Sequence, residues 1–236
     1  MRSATGNVDC STTFIFGWAT KPRLHENDNN DEMELLDFGY SQSKWVSEQL
    51  VIQAARAGLP TRIFRPALIT PSRNGAGGSF DITIRLLTFM LKHGIGVNAL
   101  NQVSFVPVDV TANNIVAISQ SPSTSNRTFH VTRDKYANMI DVTDILSART
   151  GCRFELFSLR DFVPEVIRRC TKEDLLFPLL DFFIGSIDSI SSMEFKRYDS
   201  SLYQSARDAS SLSMPDPSLE QTVDGILTFI ERHRLL

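Results

Sequence analysis

The sequence predicts an α/β fold: a parallel sheet with helical crossovers and a smaller, mostly helical lobe. Short apolar runs rich in Thr, Phe, Ile and Val alternate with helical patterns, and Gly, Pro and Asp punctuate the changes. The last third reads as almost wholly helical. A chain of 236 residues can build one sizeable core, or one core with a small appended lobe.

Ser11–Trp18 is short, apolar and rich in Thr and Phe, which predicts a strand. Lys21–Asp37 is a polar loop. From Tyr40 the pattern turns helical, with Val46, Leu50, Val51, Ala54 and Ala55 on one face and Gly58 and Pro60 as a stop. Thr61–Ile69 reads as a buried strand, ended by Pro71 and the glycine-rich 74–78 segment. Asp81 caps a helix through Lys92, and His93-Gly94 ends it. Phe105–Val108 reads as extended, Val110–Ser119 as a helix capped by Asp109, and Thr128–Thr132 as a strand. Asp141–Thr150 is a helix closed by Gly151, and Arg153–Phe157 a further strand. Helix then dominates to Leu236, interrupted at 214–217.

Composition narrows the function classes. Hydrophobic residues make up 42% and charged residues 22%, ordinary values for a soluble globular domain. A net charge of −3 provides no basic footprint for nucleic acid or acidic membranes. Cys10, Cys152 and Cys170 lack paired spacing, so a reducing, cytoplasmic setting is expected. The four histidines are scattered without metal-ligand spacing, and no metal is expected. Leu175–Ile184, the longest apolar stretch, is too short for a bilayer and contains Pro178 and Asp181.

Chemistry is concentrated near residue 40. Tyr40 and Lys44 are four apart on a predicted helix and project from one face. A phenol, with a reference pKa near 10, needs a neighbouring cation to work as an acid–base group at neutral pH. The same spacing arises by chance on a surface helix, so the context matters. Upstream, Thr12 lies in the predicted strand, five residues before Gly17, in a segment that opens with the hydroxyl residues Ser11, Thr12 and Thr13. Downstream, Arg65-Pro66 ends a strand at a proline, which fixes φ and withholds an N–H.

Residues 39–48, Gly-Tyr-Ser-Gln-Ser-Lys-Trp-Val-Ser-Glu, closely resemble the thioester reductase branch of the extended short-chain dehydrogenase/reductases. These are the terminal reductase domains of non-ribosomal peptide and polyketide synthetases, related to those of aminoadipate and carboxylic acid reductases. Phe105–Val110, Ile115–Ser119 and Phe129–Val131 resemble later elements of that branch, and the likeness covers about residues 8–135. It implies a Rossmann-type sheet and NADPH-dependent reduction of carrier-bound acyl or peptidyl thioesters to an aldehyde or alcohol in secondary metabolism. It also implies catalytic roles for Thr12, Tyr40 and Lys44, with Tyr40, Lys44, Pro66, Ala67 and Leu68 beside the nicotinamide. The implied partner is an acyl or peptidyl carrier protein or a small acyl substrate.

One departure is large. The Gly-x-Gly-x-x-Gly turn that holds a pyrophosphate should precede Thr12. Met1–Cys10 contain a single glycine, Gly6, and Gly75–Gly78 follow the Arg-Pro strand instead. The chain is therefore expected to be N-terminally truncated. Residues 1–135 would form the C-terminal half of a Rossmann-type domain, and 136–236 a mainly helical substrate lobe intertwined with it. A partner chain supplying the missing half is one expectation, as is an exposed first strand in a marginally stable or oligomeric protein. The competing reading is a catalytically silent module that binds a carrier protein or partner enzyme. Two further readings rank lower: Dieckmann-type cyclisation, which the resemblance associates with loss of the tyrosine, and a dehydrogenase of sugars or sterols. Phe154, Phe157, Phe162 and Phe177 suit an acyl channel or, preferably, the lobe's own core.

Overall fold

The computed structural model describes residues 6–17, 21, 23–29, 33–36, 38–100, 102–192 and 197–236. Its main elements are β1 (Asn7–Cys10), α1 (Gly39–Arg56), β2 (Thr61–Pro66), α2 (Ile82–His93), β3 (Ile95–Val97), α3 (Val108–Ser119), β4 (Arg127–Val131), α4 (Met139–Thr150), β5 (Glu155–Phe157), α5 (Leu159–Arg169), α6 (Ser201–Asp208) and α7 (Leu219–Arg232). The mixed α/β class with parallel strands agrees with expectation. Trp18 and parts of the 21–37 loop lie outside the described residues.

The chain divides into two compact units, each assembled from three separate segments. The first contains residues 1–69, 110–134 and 196–216. Its sheet is parallel, in the order β1-β2-β4, with Cys10 opposite Phe64 and Phe64 opposite Phe129. Side chains alternate across a strand, so Phe64, Phe129 and Val131 share one face. There they pack with Ile118 of α3 and Tyr203 of α6. The rings of Phe64 and Phe129 stack at 5.2 Å. β1 forms one edge of this sheet, with Val8 45% exposed, as an uncovered first strand requires.

The second unit contains residues 70–109, 135–195 and 217–236. β3 and β5 pair in parallel, Ile95 opposite Glu155 and Val97 opposite Phe157. Helix ends follow the sequence signals: the Asp81 carboxylate accepts from Ile84 N–H, and Gly94 and Gly151 close α2 and α4 at positive φ. Phe162 is buried, whereas Phe177 is 37% exposed.

Two local expectations need correction. Thr13–Phe16 is a 3-10 helix and the strand lies earlier, at Asn7–Cys10. The Thr12 hydroxyl accepts from Phe14 N–H and caps that turn, taking the chain out of the sheet. On α1, Val46 and Leu50 are 44% and 61% exposed, while Ser41 and Glu48 are buried. The inward face of α1 carries an ion pair, so its apolar stripe does not mark the core.

Gly225 of α7 reveals how tightly the second unit packs. A Cβ there would lie 2.5 Å from the Ser72 carbonyl oxygen. Gly225→Ala should therefore destabilise the protein by about 1–2 kcal/mol net, overpacking outweighing the gain of roughly 1 kcal/mol in helix propensity. A urea midpoint at or above the wild-type value would contradict this.

Candidate active site

The C-terminal ends of parallel strands are where an open α/β sheet can expose reactive groups without breaking its ladder. In the first unit, β1 ends as Ser11 N–H donates to the Phe64 carbonyl at 2.7 Å. Thr12 follows in extended conformation and is 8% exposed. Because its oxygen accepts from Phe14 N–H at 3.2 Å, its own O–H is left as the donor. The Thr13 hydroxyl donates to the Pro66 carbonyl at 3.3 Å, drawing this turn onto the end of β2.

α1 starts beside the same turn. Phe38, immediately before the helix, sets its ring 5.8 Å from that of Phe14. Tyr40 lies in the first turn of α1 and is 57% exposed, which leaves its hydroxyl accessible. One turn on, the Lys44 ammonium donates to the Cys10 carbonyl at 2.9 Å, bridging α1 to the end of β1. Ala67 N–H donates to Val131 O at 3.0 Å, after which the chain continues through Leu68. Thr12, Tyr40, Lys44 and Pro66 thus belong to elements joined at one end of the sheet.

Behind them is a buried ion pair that sequence reasoning missed. Arg65 and Glu48 have side chains only 1% and 2% exposed, with Arg65 Nη2 2.5 Å from Glu48 Oε1. Arg65 Nε lies 3.2 Å from both carboxylate oxygens. Its Nη1 donates to the Asp28 carbonyl at 3.0 Å, and the guanidinium lies 4.9 Å from the Phe16 ring centre. One signal was available: Tyr40, Lys44 and Glu48 repeat every four residues, so Glu48 continues the face that carries the pair.

His130 completes this network. Its backbone N–H donates to the carboxylate of Glu26, which also accepts from the N–H groups of Leu202 and Tyr203 at the start of α6. Burial, followed by the charge of Arg65, pushes the imidazole pKa down to about 3. The ring is therefore neutral: Nδ1–H donates to the Asp199 carbonyl at 2.8 Å, and Nε2 faces Arg65 Nη1 at 3.4 Å. Asp9 of β1 also escaped notice. Burial first, and then the charge of Glu48, raises its pKa, and its Oδ2 is buried without a hydrogen bond.

A nicotinamide cofactor fits this end of the sheet in part. The exposed Tyr40, the Lys44 ammonium and the strand break at Ala67 are groups that suit a nicotinamide riboside. Among the described residues, no glycine-rich turn leads from the sheet of the first unit into a helix to hold a pyrophosphate. The glycines at 75 and 78 serve packing in the second unit. A Cβ on either would come within 2.7 Å of Thr228 or Phe229 on α7. No described helix is long and apolar enough to cross a membrane.

Known proteins resemble this chain in sequence and in fold. Residues 5–115 match the NAD-binding family described as male sterility protein. The chain is 31% identical over 134 residues, 56% of its length, to a linear gramicidin synthase of Brevibacillus parabrevis, and spans 3% of that protein. It is 30% identical over 156 residues, 64% of its length, to L-2-aminoadipate reductase of Schizosaccharomyces pombe, and spans 11% of it. The terminal R domain of the myxalamid PKS-NRPS pathway superposes with a TM-score of 0.84 at 23% identity, covering 97% of this chain and 59% of that one. The chain shares the fold of such terminal reductase domains. In sequence it is similar to the thioester reductase-like branch of the extended short-chain dehydrogenase/reductases.

The buried network is open to two tests. Glu48→Ala strands the Arg65 charge and is expected to cost about 3–5 kcal/mol, whereas Glu48→Leu combined with Arg65→Met should recover much of it. Denaturant melts of these variants check this, and a double variant as unstable as the single one would refute it. Native His130 refuses a proton that the unfolded chain accepts below about pH 6.5. Its contribution is complete above that pH and declines from there down to about pH 3, by about 2 kcal/mol at pH 5. His130→Asn should flatten the dependence of stability on pH between 7 and 5 by that amount; an unchanged slope would rule the account out.

Proposed function

We propose that this chain carries the substrate-reducing site of an NADPH-dependent reductase of carrier-bound acyl or peptidyl thioesters, releasing an aldehyde or alcohol in secondary metabolism. The observation that carries the proposal is the meeting of the Thr12 turn, the Tyr40–Lys44 face of α1 and Pro66 at one end of the sheet. In this reading the hydroxyls of Thr12 and Tyr40 bind the thioester carbonyl oxygen, and Tyr40 gives it a proton. Lys44 holds the nicotinamide ribose, and Pro66, Ala67 and Leu68 form the wall beside the ring. NADPH, when bound, supplies the hydride taken by the carbonyl carbon. The C–S bond then breaks, and the carrier's thiol departs with a proton. The likeness to synthetase reductase domains supports an acyl or peptidyl carrier protein as partner.

This chain spans 59% of the matched R domain. In our proposal the pyrophosphate-binding part is a further strand-turn-helix segment that docks along the open edge of β1, from the same polypeptide or from a partner chain. The absence of a phosphate cradle among the described residues also favours a second reading: a catalytically silent module that binds a carrier or partner enzyme.

The two readings are separated by titrating the 236-residue chain with NADPH and assaying a pantetheine thioester for aldehyde. The first expects a change in nicotinamide fluorescence and turnover that falls about 10²–10⁴-fold in Tyr40→Phe. Carrier binding that is equal in wild type and Tyr40→Phe, with no response to NADPH at high micromolar concentration, would select the second.

A further inference from the structure

The other end of the sheet carries a feature that the proposed reduction does not use. Arg62 and Arg127 are register partners on β2 and β4, so both side chains lie on the face that bears Phe64 and Phe129. Arg62 is 1% exposed. Its Nε donates to the Thr124 hydroxyl and its Nη2 to the Ser121 carbonyl, both at 2.8 Å, while Nη1 is buried without a hydrogen-bond partner. Among the described residues, neither arginine pairs with a carboxylate. Arg127, at the start of its strand, is exposed, whereas Arg62 is a buried guanidinium without the acidic partner such groups ordinarily have.

A cavity of about 550 Å³ opens at the same place. Arg127, Ser205 and Ser211 line it together with Ile118, Phe129 and Leu212, and no Asp or Glu contributes to its wall. Ser121 and Thr124, the partners of Arg62, also line it, so the buried guanidinium stands directly behind the wall. The C-terminal ends of α3 and α6 border the cavity and bring roughly half a negative charge each. Two full guanidinium charges outweigh them and leave a surplus of about +1. A pocket whose wall combines a guanidinium, several hydroxyls and apolar side chains has a definite chemical complement.

We propose that this cavity binds a small organic oxyanion, a phosphate ester or carboxylate on an apolar body. Arg127 would hold the oxygens in a fork, the serine hydroxyls would complete the shell, and the Ile118–Phe129 side would take the apolar part. Because the cavity lies at the N-terminal ends of the strands, this site is separate from Thr12, Tyr40 and Lys44 and stands whether or not the chain reduces thioesters.

Calorimetric titration of the whole chain at low salt with phenyl phosphate, hexanoate and inorganic phosphate provides the test. We expect saturable one-to-one binding of phenyl phosphate or hexanoate, the tighter of the two identifying the oxyanion, with inorganic phosphate weaker. Arg127→Ala should weaken it about tenfold or more, as should Ser205→Leu, which fills the cavity without touching the charge. Near-UV circular dichroism verifies that both variants remain folded, and Tyr40→Phe should bind as wild type. The proposal is overturned if no probe saturates at millimolar concentration, or if both cavity variants bind as wild type. Inorganic phosphate binding as tightly as phenyl phosphate would remove the apolar half of the site.

Discussion

Arg65 and Glu48 form the contact on which the geometry of the first unit turns. The guanidinium stands on β2 one residue before Pro66, and the carboxylate on α1 one turn beyond Lys44. Removing two charges from water is costly, and only close, multiple hydrogen bonds offset the cost. That requirement specifies both how far α1 slides along β2 and which face it turns inward. Tyr40 and Lys44 inherit their placement from it. Through Asp28, Phe16 and His130 the same guanidinium also holds the 23–29 loop, the Thr12 turn and β4.

The two ends of this sheet are built differently. Toward the C-terminal ends of the strands, Arg65 is paired with Glu48 and Lys44 is held by the Cys10 carbonyl. Fixed partners would preorganise the proposed proton-transfer site, since little need rearrange when charge develops. At the N-terminal ends, Arg62 and Arg127 have no acidic partner among the described residues; Arg127 lines a cavity and Arg62 is buried behind residues of its wall. In our proposal the Arg127 guanidinium, beside open space, is left for a ligand rather than for structure.

Much of the architecture was legible because local signals and tertiary structure agree. Asp81 and Gly94 bound α2, Gly151 closes α4, and Pro66 ends β2, each for a backbone reason that acts within a few residues. The structure departs from the sequence pattern where a competing contact, local in one case and long-range in the other, overrides it. The apolar run after Cys10 was expected to be extended, yet the Thr12 hydroxyl caps a 3-10 turn there. Val46 and Leu50 read as a core stripe on α1, but the helix turns Glu48 inward to meet Arg65.

By itself the sequence determined the α/β class, a resemblance to the thioester reductase-like branch and the candidate trio Thr12, Tyr40 and Lys44, because periodicity, capping and a ten-residue motif are local properties. Only the tertiary structure decided which face of α1 is buried, that Lys44 reaches the end of β1, and that Arg62 and Arg127 lie side by side without an acid. Those facts depend on strand register and helix rotation. Contacts between residues tens of positions apart set both, and no local pattern encodes them.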